Sequence, residues 1–253
     1  MRVVFLAIAL FMASPAQAIC RIALAIGVDV SASVDAHEYQ LQLGGLADAL
    51  ADADVKNILL LSPENPVDLV VFEWAAEDFQ RIILPWTTID NASTLAQVVA
   101  LLHRASLGLT SVPSDQVKSG YSRLSVDPST AIGSAMLFGV DLLSARACWA
   151  RTLDLSGDGI SNTGPEPKDV LLRLKGAGVT INALPIMSSG RSISTDGKYL
   201  ATRLERHFLD EVIMGPGAFI KSARGLKDFK AAMTQKLLRE LEGPNLSRLM
   251  LPP

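Results

Sequence analysis

The sequence predicts an α/β fold: a doubly wound, mostly parallel central sheet flanked by helices, with one antiparallel edge strand. Three observations predict it. Ile22 to Val30 (IALAIGVDV) is a β-branched, almost wholly apolar run ending in an acid, as in a central parallel strand buried on both faces. Strand-like runs then alternate with stretches of helical spacing along the chain. Hydrophobic residues make up 49% of the 253 and charged residues 19%, enough apolar side chain to cover both faces of such a sheet.

After the first strand, Ala36 to Ala53 reads as a helix, opened by Asp35 with Glu38 three residues on, a capping box. Val67 to Trp74 (VDLVVFEW) and Gln80 to Leu84 (QRIIL) read as two strands joined by a short acidic turn, an antiparallel edge pair. Asn91 to Arg104 and Thr130 to Ser144 carry helical spacing. Arg151 to Ser156 reads as a strand, Pro167 to Ala177 as a helix, and Thr180 to Leu184 as a strand. Leu200 to Val212 and Leu226 to Leu241 follow as helices, with a short strand near Ala218 to Ile220 between them. Two segments break the rhythm, Ser106 to Ser129 and Ser188 to Lys198, and long polar connections of this kind are commonly functional.

The first 18 residues, MRVVFLAIALFMASPAQA, combine a basic Arg2, an apolar run and a small-residue Ala16-Gln17-Ala18 site, the pattern of a secretory signal peptide. The mature chain is then expected to run from Ile19 to Pro253 as a single domain, exported to the periplasm or outside the cell. A retained membrane anchor is the alternative, disfavoured because the apolar run is shorter than the roughly 20 residues a span requires. No transmembrane segment is expected in the mature chain. With 23 basic against 26 acidic residues, nucleic acid is not an expected partner.

The chemistry concentrates at three places. Asp29-Val30-Ser31-Ala32-Ser33 directly follows the first strand, Thr130-Ala131-Ile132-Gly133 opens a helix, and Ser156-Gly157-Asp158-Gly159 follows another apolar strand. All three fall at the same end of the predicted sheet, where open α/β sheets bind ligands. Asp29, Ser31, Ser33, Thr130 and Asp158 offer hard oxygen donors, suited to Mg²⁺ first, with Mn²⁺ or Ca²⁺ as alternatives. Taken alone, the Asp-x-Ser-x-Ser segment is better read as helix capping.

In that order, the three motifs resemble the metal-ion-dependent adhesion site of von Willebrand factor type A and integrin inserted domains. The match also resembles exported bacterial proteins of that kind, a domain of unknown function. It is carried by Asp29 to Asp35, Thr130 to Gly133, Asp154 to Gly159, Gly178 to Leu184 and Gly215 to Phe219. The resemblance implies that Ser31 and Ser33 ligate the cation directly and Thr130 directly or through water, with Asp29 and Asp158 acting mainly through waters. It leaves one position for an acidic side chain of a protein partner, and so implies a non-enzymatic adhesion or scaffold module. It also implies that the first strand pairs with the strand at Arg151, which would bring Cys20 and Cys148 together as a disulfide; two buried free thiols are the alternative. The segment before Thr130 is longer than is usual in such domains.

Two other readings stand beside this one. A structural domain with a vestigial site needs no cation. A haloacid dehalogenase-like phosphatase would use Asp29 as nucleophile and Gly157-Asp158-Gly159-Ile160-Ser161-Asn162 as its metal loop, but Ser31 stands where that chemistry needs a second acid, and Asn162 replaces the last metal-binding acid. His37, His103 and His207 are dispersed and read as solvated or packed, with His37 near enough to meet a partner. Trp74 and Trp86 read as packing, and the charges from Lys227 to Glu242 as the solvated face of an amphipathic helix.

Overall fold

A computed structural model describes residues 20–31, 34–109, 129–187 and 195–242, with side chains of the last stretch from 203. The expected leader, Ser33, most of the long segment before Thr130 and most of the polar stretch after Met187 lie outside the described residues.

Five strands form one sheet in the order β3-β2-β1-β4-β5. β1 (Ile22–Asp29) lies at its centre, paired in parallel with β2 (Val67–Trp74) on one side and β4 (Ala150–Gly157) on the other. β5 (Thr180–Pro185) continues the parallel half, and β3 (Gln80–Ile89) closes the other edge antiparallel to β2. β1 is buried at every position because both faces are covered. Ile22, Leu24, Ile26 and Val28 face α1 (Ala36–Leu50), α3 (Ala92–Ser106) and α7 (Phe229–Leu241), whereas Ala23 and Ala25 face α4 (Ile132–Ser144), α5 (Pro167–Arg173) and α6 (Thr195–Glu211). The alternation of large and small apolar side chains along β1 lets one helical layer approach more closely than the other.

The expected fold class stands. The capping box is present, with Glu38 N donating to Asp35 Oδ1 at 2.8 Å and Asp35 N to Glu38 Oε2 at 3.0 Å. Several boundaries move. The first helix ends at Leu50, and a separate helix α2 (Ala53–Leu59) restarts at Asp52, whose carboxylate accepts from Asp54 N at 3.0 Å. β3 runs five residues past Leu84 because Pro85 sits on an edge strand, where a missing donor faces solvent. The helix at Pro167 stops at Arg173, and no strand forms at Ala218 to Ile220, where Ile220 makes only an isolated bridge to Ala183. Residues Leu226–Asp228 form a 3-10 turn before α7.

Cys20 and Cys148 are joined as a disulfide, with Cα atoms 4.7 Å apart. The β1–β4 register that places Ile22 opposite Ala150 is what brings them together. Trp74 is fully buried, and Trp86 packs under the Arg146 guanidinium, 4.5 Å from the ring centre. One expectation fails for α7: Lys236 is wholly buried, its ammonium 2.7 Å from Asp154 and also paired with Glu240, because this turn of the helix lies over β4.

Candidate metal centre

From β1 the chain crosses to β2 and β3 on one side, then returns to β4 and β5 on the other. The carboxyl ends of β1 and β4 therefore flank the point where the winding reverses, the crevice that ligands occupy in open α/β sheets. Asp29 is the last residue of β1, and Asp158 immediately follows β4. Thr130 precedes α4.

Asp29 has no exposed surface. Ser31, also fully buried, turns its amide back to donate to Asp29 Oδ1 at 2.8 Å, which fixes the carboxylate's orientation. The other oxygen, Oδ2, is buried without a hydrogen-bond partner. A Cβ built on Gly157 would lie 3.2 Å from that oxygen, so glycine here lets β4 close on the carboxylate. Burial first, then the nearby Asp158 carboxylate, push the Asp29 pKa up to about 7, against weaker pulls from Ser31 and the Asp158 amide.

The Thr130 backbone is held from both directions. Its N–H donates to Asn162 Oδ1 at 2.8 Å, and its carbonyl accepts from Asn162 N at 2.9 Å and from Ser161 Oγ at 3.3 Å. Ala131 N donates to Ala75 O at 2.8 Å, tying the same segment to the end of β2. A Cβ on Gly159 would lie 3.3 Å from Thr130 Oγ1, so the Asp158-Gly159 turn passes directly against the threonine hydroxyl. Behind the turn, Ser161 N donates to His207 Nε2 at 3.3 Å.

Of the five residues expected to hold a cation, Asp29, Ser31, Thr130 and Asp158 thus border one crevice, and Ser33 lies outside the described residues. The set offers two carboxylates and neutral hydroxyls, and the groups acting on Asp29 include no lysine or arginine. A buried acid with an orphaned oxygen beside a second acid is relieved by a proton or by a cation. These residues accordingly fit a hard divalent ion. Sequence reasoning named Ser161 and Asn162 only within the phosphatase reading and His207 only as solvated or packed; the contacts they make depend on which loops meet. The signal available for Asn162 was its place in the Asp158 motif. His103, by contrast, pairs with Asp48 on the outer surface, 3.3 Å away, and His37 is exposed in the first turn of α1. Among the described residues, Cys20, Asp68 and Cys148 also cluster closely enough for an ion, but they lie at the opposite end of the sheet and both sulfurs are in the disulfide.

The family profile described as "Protein of unknown function (DUF1194)" matches residues 19–245. The chain belongs to this family. A sequence search of curated proteins finds no match. Solved structures similar in fold include proximal thread matrix protein 1 from the mussel byssus, at 15% identity and TM-score 0.54 over 88% of this chain and 48% of that one. Another structure of that protein has a zinc-occupied metal-ion-dependent adhesion motif. The pilus adhesin SpaC from Lactobacillus rhamnosus GG aligns at 10% identity and TM-score 0.56 over 89% of this chain and 31% of that one. The von Willebrand factor domain of the type V pili tip protein Mfa5 from Porphyromonas gingivalis aligns at 8% identity and TM-score 0.54 over 93% and 98%. The chain thus spans about half of the thread matrix protein and a third of SpaC. At these identities the likeness establishes the fold, and that fold is von Willebrand factor type A-like.

Proposed function

We propose that this DUF1194 protein is an exported, non-enzymatic module that binds a protein partner through one divalent cation. In this reading residues 1–18 are a cleaved leader, and residues 19–253 form one domain that works in the periplasm or outside the cell. No helix among the described residues is long and apolar enough to cross a membrane. Ser31, Ser33 and Thr130 supply hydroxyl ligands, and Asp29 and Asp158 act mainly through bound waters. Mg²⁺ is the expected ion, with Mn²⁺ and Ca²⁺ as alternatives. An acidic side chain of the partner completes the shell.

The observation that carries the proposal is the orphaned, buried Oδ2 of Asp29 beside Asp158. Without a counterion this arrangement costs stability at neutral pH; with a cation it becomes the anchor of a site. The fold neighbours, a byssal matrix protein with zinc in its adhesion motif, a pilus adhesin and a pilus tip protein, agree with adhesion or scaffolding. Against a phosphatase, Asn162 is engaged with the Thr130 backbone on both sides, the work of a structural clamp, where that chemistry needs an acid.

Calorimetry of the mature protein with Mg²⁺, Mn²⁺ and Ca²⁺ tests the proposal. One saturable site is expected, lost in Asp29→Ala. If the wild type binds none of the three ions, a structural domain with a vestigial site is the better account. Turnover of a generic phosphate ester that Asp29→Ala abolishes would instead favour a hydrolase.

A further inference from the structure

We infer that His207 is a positioning residue of the cation site, holding the Asp158 loop against Thr130 from the side of α6. The inference rests on the cation reading above and adds a residue to it that touches neither ion nor partner. The loop from Asp158 to Asn162 is pinned by two separate partners. Ser161 Oγ and both the amide and the side chain of Asn162 engage the Thr130 backbone. The Ser161 amide donates to His207 Nε2. A segment held by one partner only could swing away from the crevice; held by both, it keeps the Asp158 carboxylate and the Thr130 hydroxyl at a fixed spacing.

The helix that carries His207 is itself firmly placed. Leu204 and Phe208 bury one face of α6 against the sheet, and Val212, just past its end, continues the row. The Phe208 ring reaches within 3.4 Å of where a Gly157 Cβ would stand, so consecutive residues of α6 meet the end of β4 and the loop that follows it. His207 is 8% exposed.

Accepting at Nε2 places the ring proton on Nδ1, which faces Glu211 Oε2 at 3.4 Å. Burial lowers the His207 pKa. Glu211 on the same helix and Glu166 at the start of α5 oppose this, and Arg203 on α6 reinforces it. The ring is therefore neutral at pH 7 and able to accept. Protonation would replace the acceptor with a second donor aimed at the Ser161 N–H, and would loosen the hold.

The test compares His207→Gln, whose carbonyl can still accept, with His207→Ala, in the full mature chain. Hydrogen exchange at the Ser161 amide reads the hold without any metal. Mn²⁺ titration reads its consequence. We expect His207→Ala to exchange faster at Ser161 and to bind Mn²⁺ about tenfold or more weakly, and His207→Gln to restore both. As pH falls below the ordinary histidine range, wild-type affinity should fall more steeply than that of His207→Gln, which has lost the titrating ring. Equal Mn²⁺ affinity in His207→Ala and wild type overturns the inference, and so does a His207→Gln protein as impaired as His207→Ala. If His207→Ala fails to fold, the pH slopes of wild type and His207→Gln decide, and equal slopes overturn it. If the wild type binds no Mn²⁺ at all while exchange at Ser161 still responds to His207, the cation reading has failed and the hold on the loop has survived.

Discussion

Asp29 shows how much a single buried acid constrains this protein. Its carboxyl is raised from the ordinary value of 3.8 to about 7, so the folded state binds the proton more tightly than the unfolded chain does. The stability of the metal-free protein should therefore fall as pH rises from about 4 to 7 and level off above that. Asp154, also raised to about 7 by burial, adds a contribution of the same sign. Thermal melts in chelator should show the protein more stable at pH 5.5 than at pH 8, and Asp29→Asn should flatten part of that slope. A melting temperature that rises with pH over this range would contradict the assignment. Saturating Mg²⁺ should reverse the trend, since the ion replaces the proton; at about 100 times its dissociation constant it adds roughly 2.7 kcal/mol. The placement of Asp29, Ser31, Thr130 and Asp158 at one end of the sheet could be read from the sequence, because each sits at a fixed offset from a strand end or a helix start. The contacts of Ser161, Asn162 and His207 could not, because their partners lie 31, 32 and 46 residues away, across a fold that must first exist.

Among the elements, α7 carries the largest departure from expectation. Lys236 lies beneath the helix between Asp154 and Glu240, while Asn182 on β5 donates to Glu240 at 2.7 Å. Removing the ammonium alone strands two buried carboxylates, so Lys236→Ala should cost about 3 to 5 kcal/mol in denaturant unfolding. A loss under 1 kcal/mol would mean that water reaches the acids. Helical spacing does put Lys236 on the same face as Phe229, Met233 and Leu237, but a lysine ordinarily reads as solvated, and the sequence does not show that Asp154 lies beneath it. At α4, a Cβ on Gly133 would come within 2.0 Å of the Pro165 carbonyl oxygen, a backbone atom with little room to give. Gly133→Ala should therefore destabilise by about 3 kcal/mol and weaken cation binding by moving Thr130, read by melts and calorimetry together. The strands were the easiest elements to read. β1, β2, β4 and β5 are apolar runs bounded by polar or turn residues, and their ends moved by at most one residue. β3 ran on past Pro85 because sequence shows a proline without showing that its strand is an edge. The helix from Ala36 was drawn too long because the restart at Asp52 depends on a side-chain cap that composition does not display.

Across the whole molecule, the disulfide and the candidate site occupy opposite ends of the same two strands. The bond joins the segments that lead into β1 and β4; Asp29 and Asp158 sit where those strands finish. Closing a loop with a sequence separation of 128 residues should stabilise the fold by about 5 kcal/mol in the chain-entropy model. The double variant Cys20→Ser, Cys148→Ser should lose a comparable amount, and an unchanged unfolding midpoint would count against that. The bond also determines how a pull would travel. A pull that reaches either Cys20 or Cys148 is shared through the sulfur bridge before it can peel β1 from β4. The two strands then bear load as one ply, and their far ends keep their alignment. On the proposed adhesion reading, this resembles a rope spliced above the hook: force would arrive at the candidate site already shared between two strands.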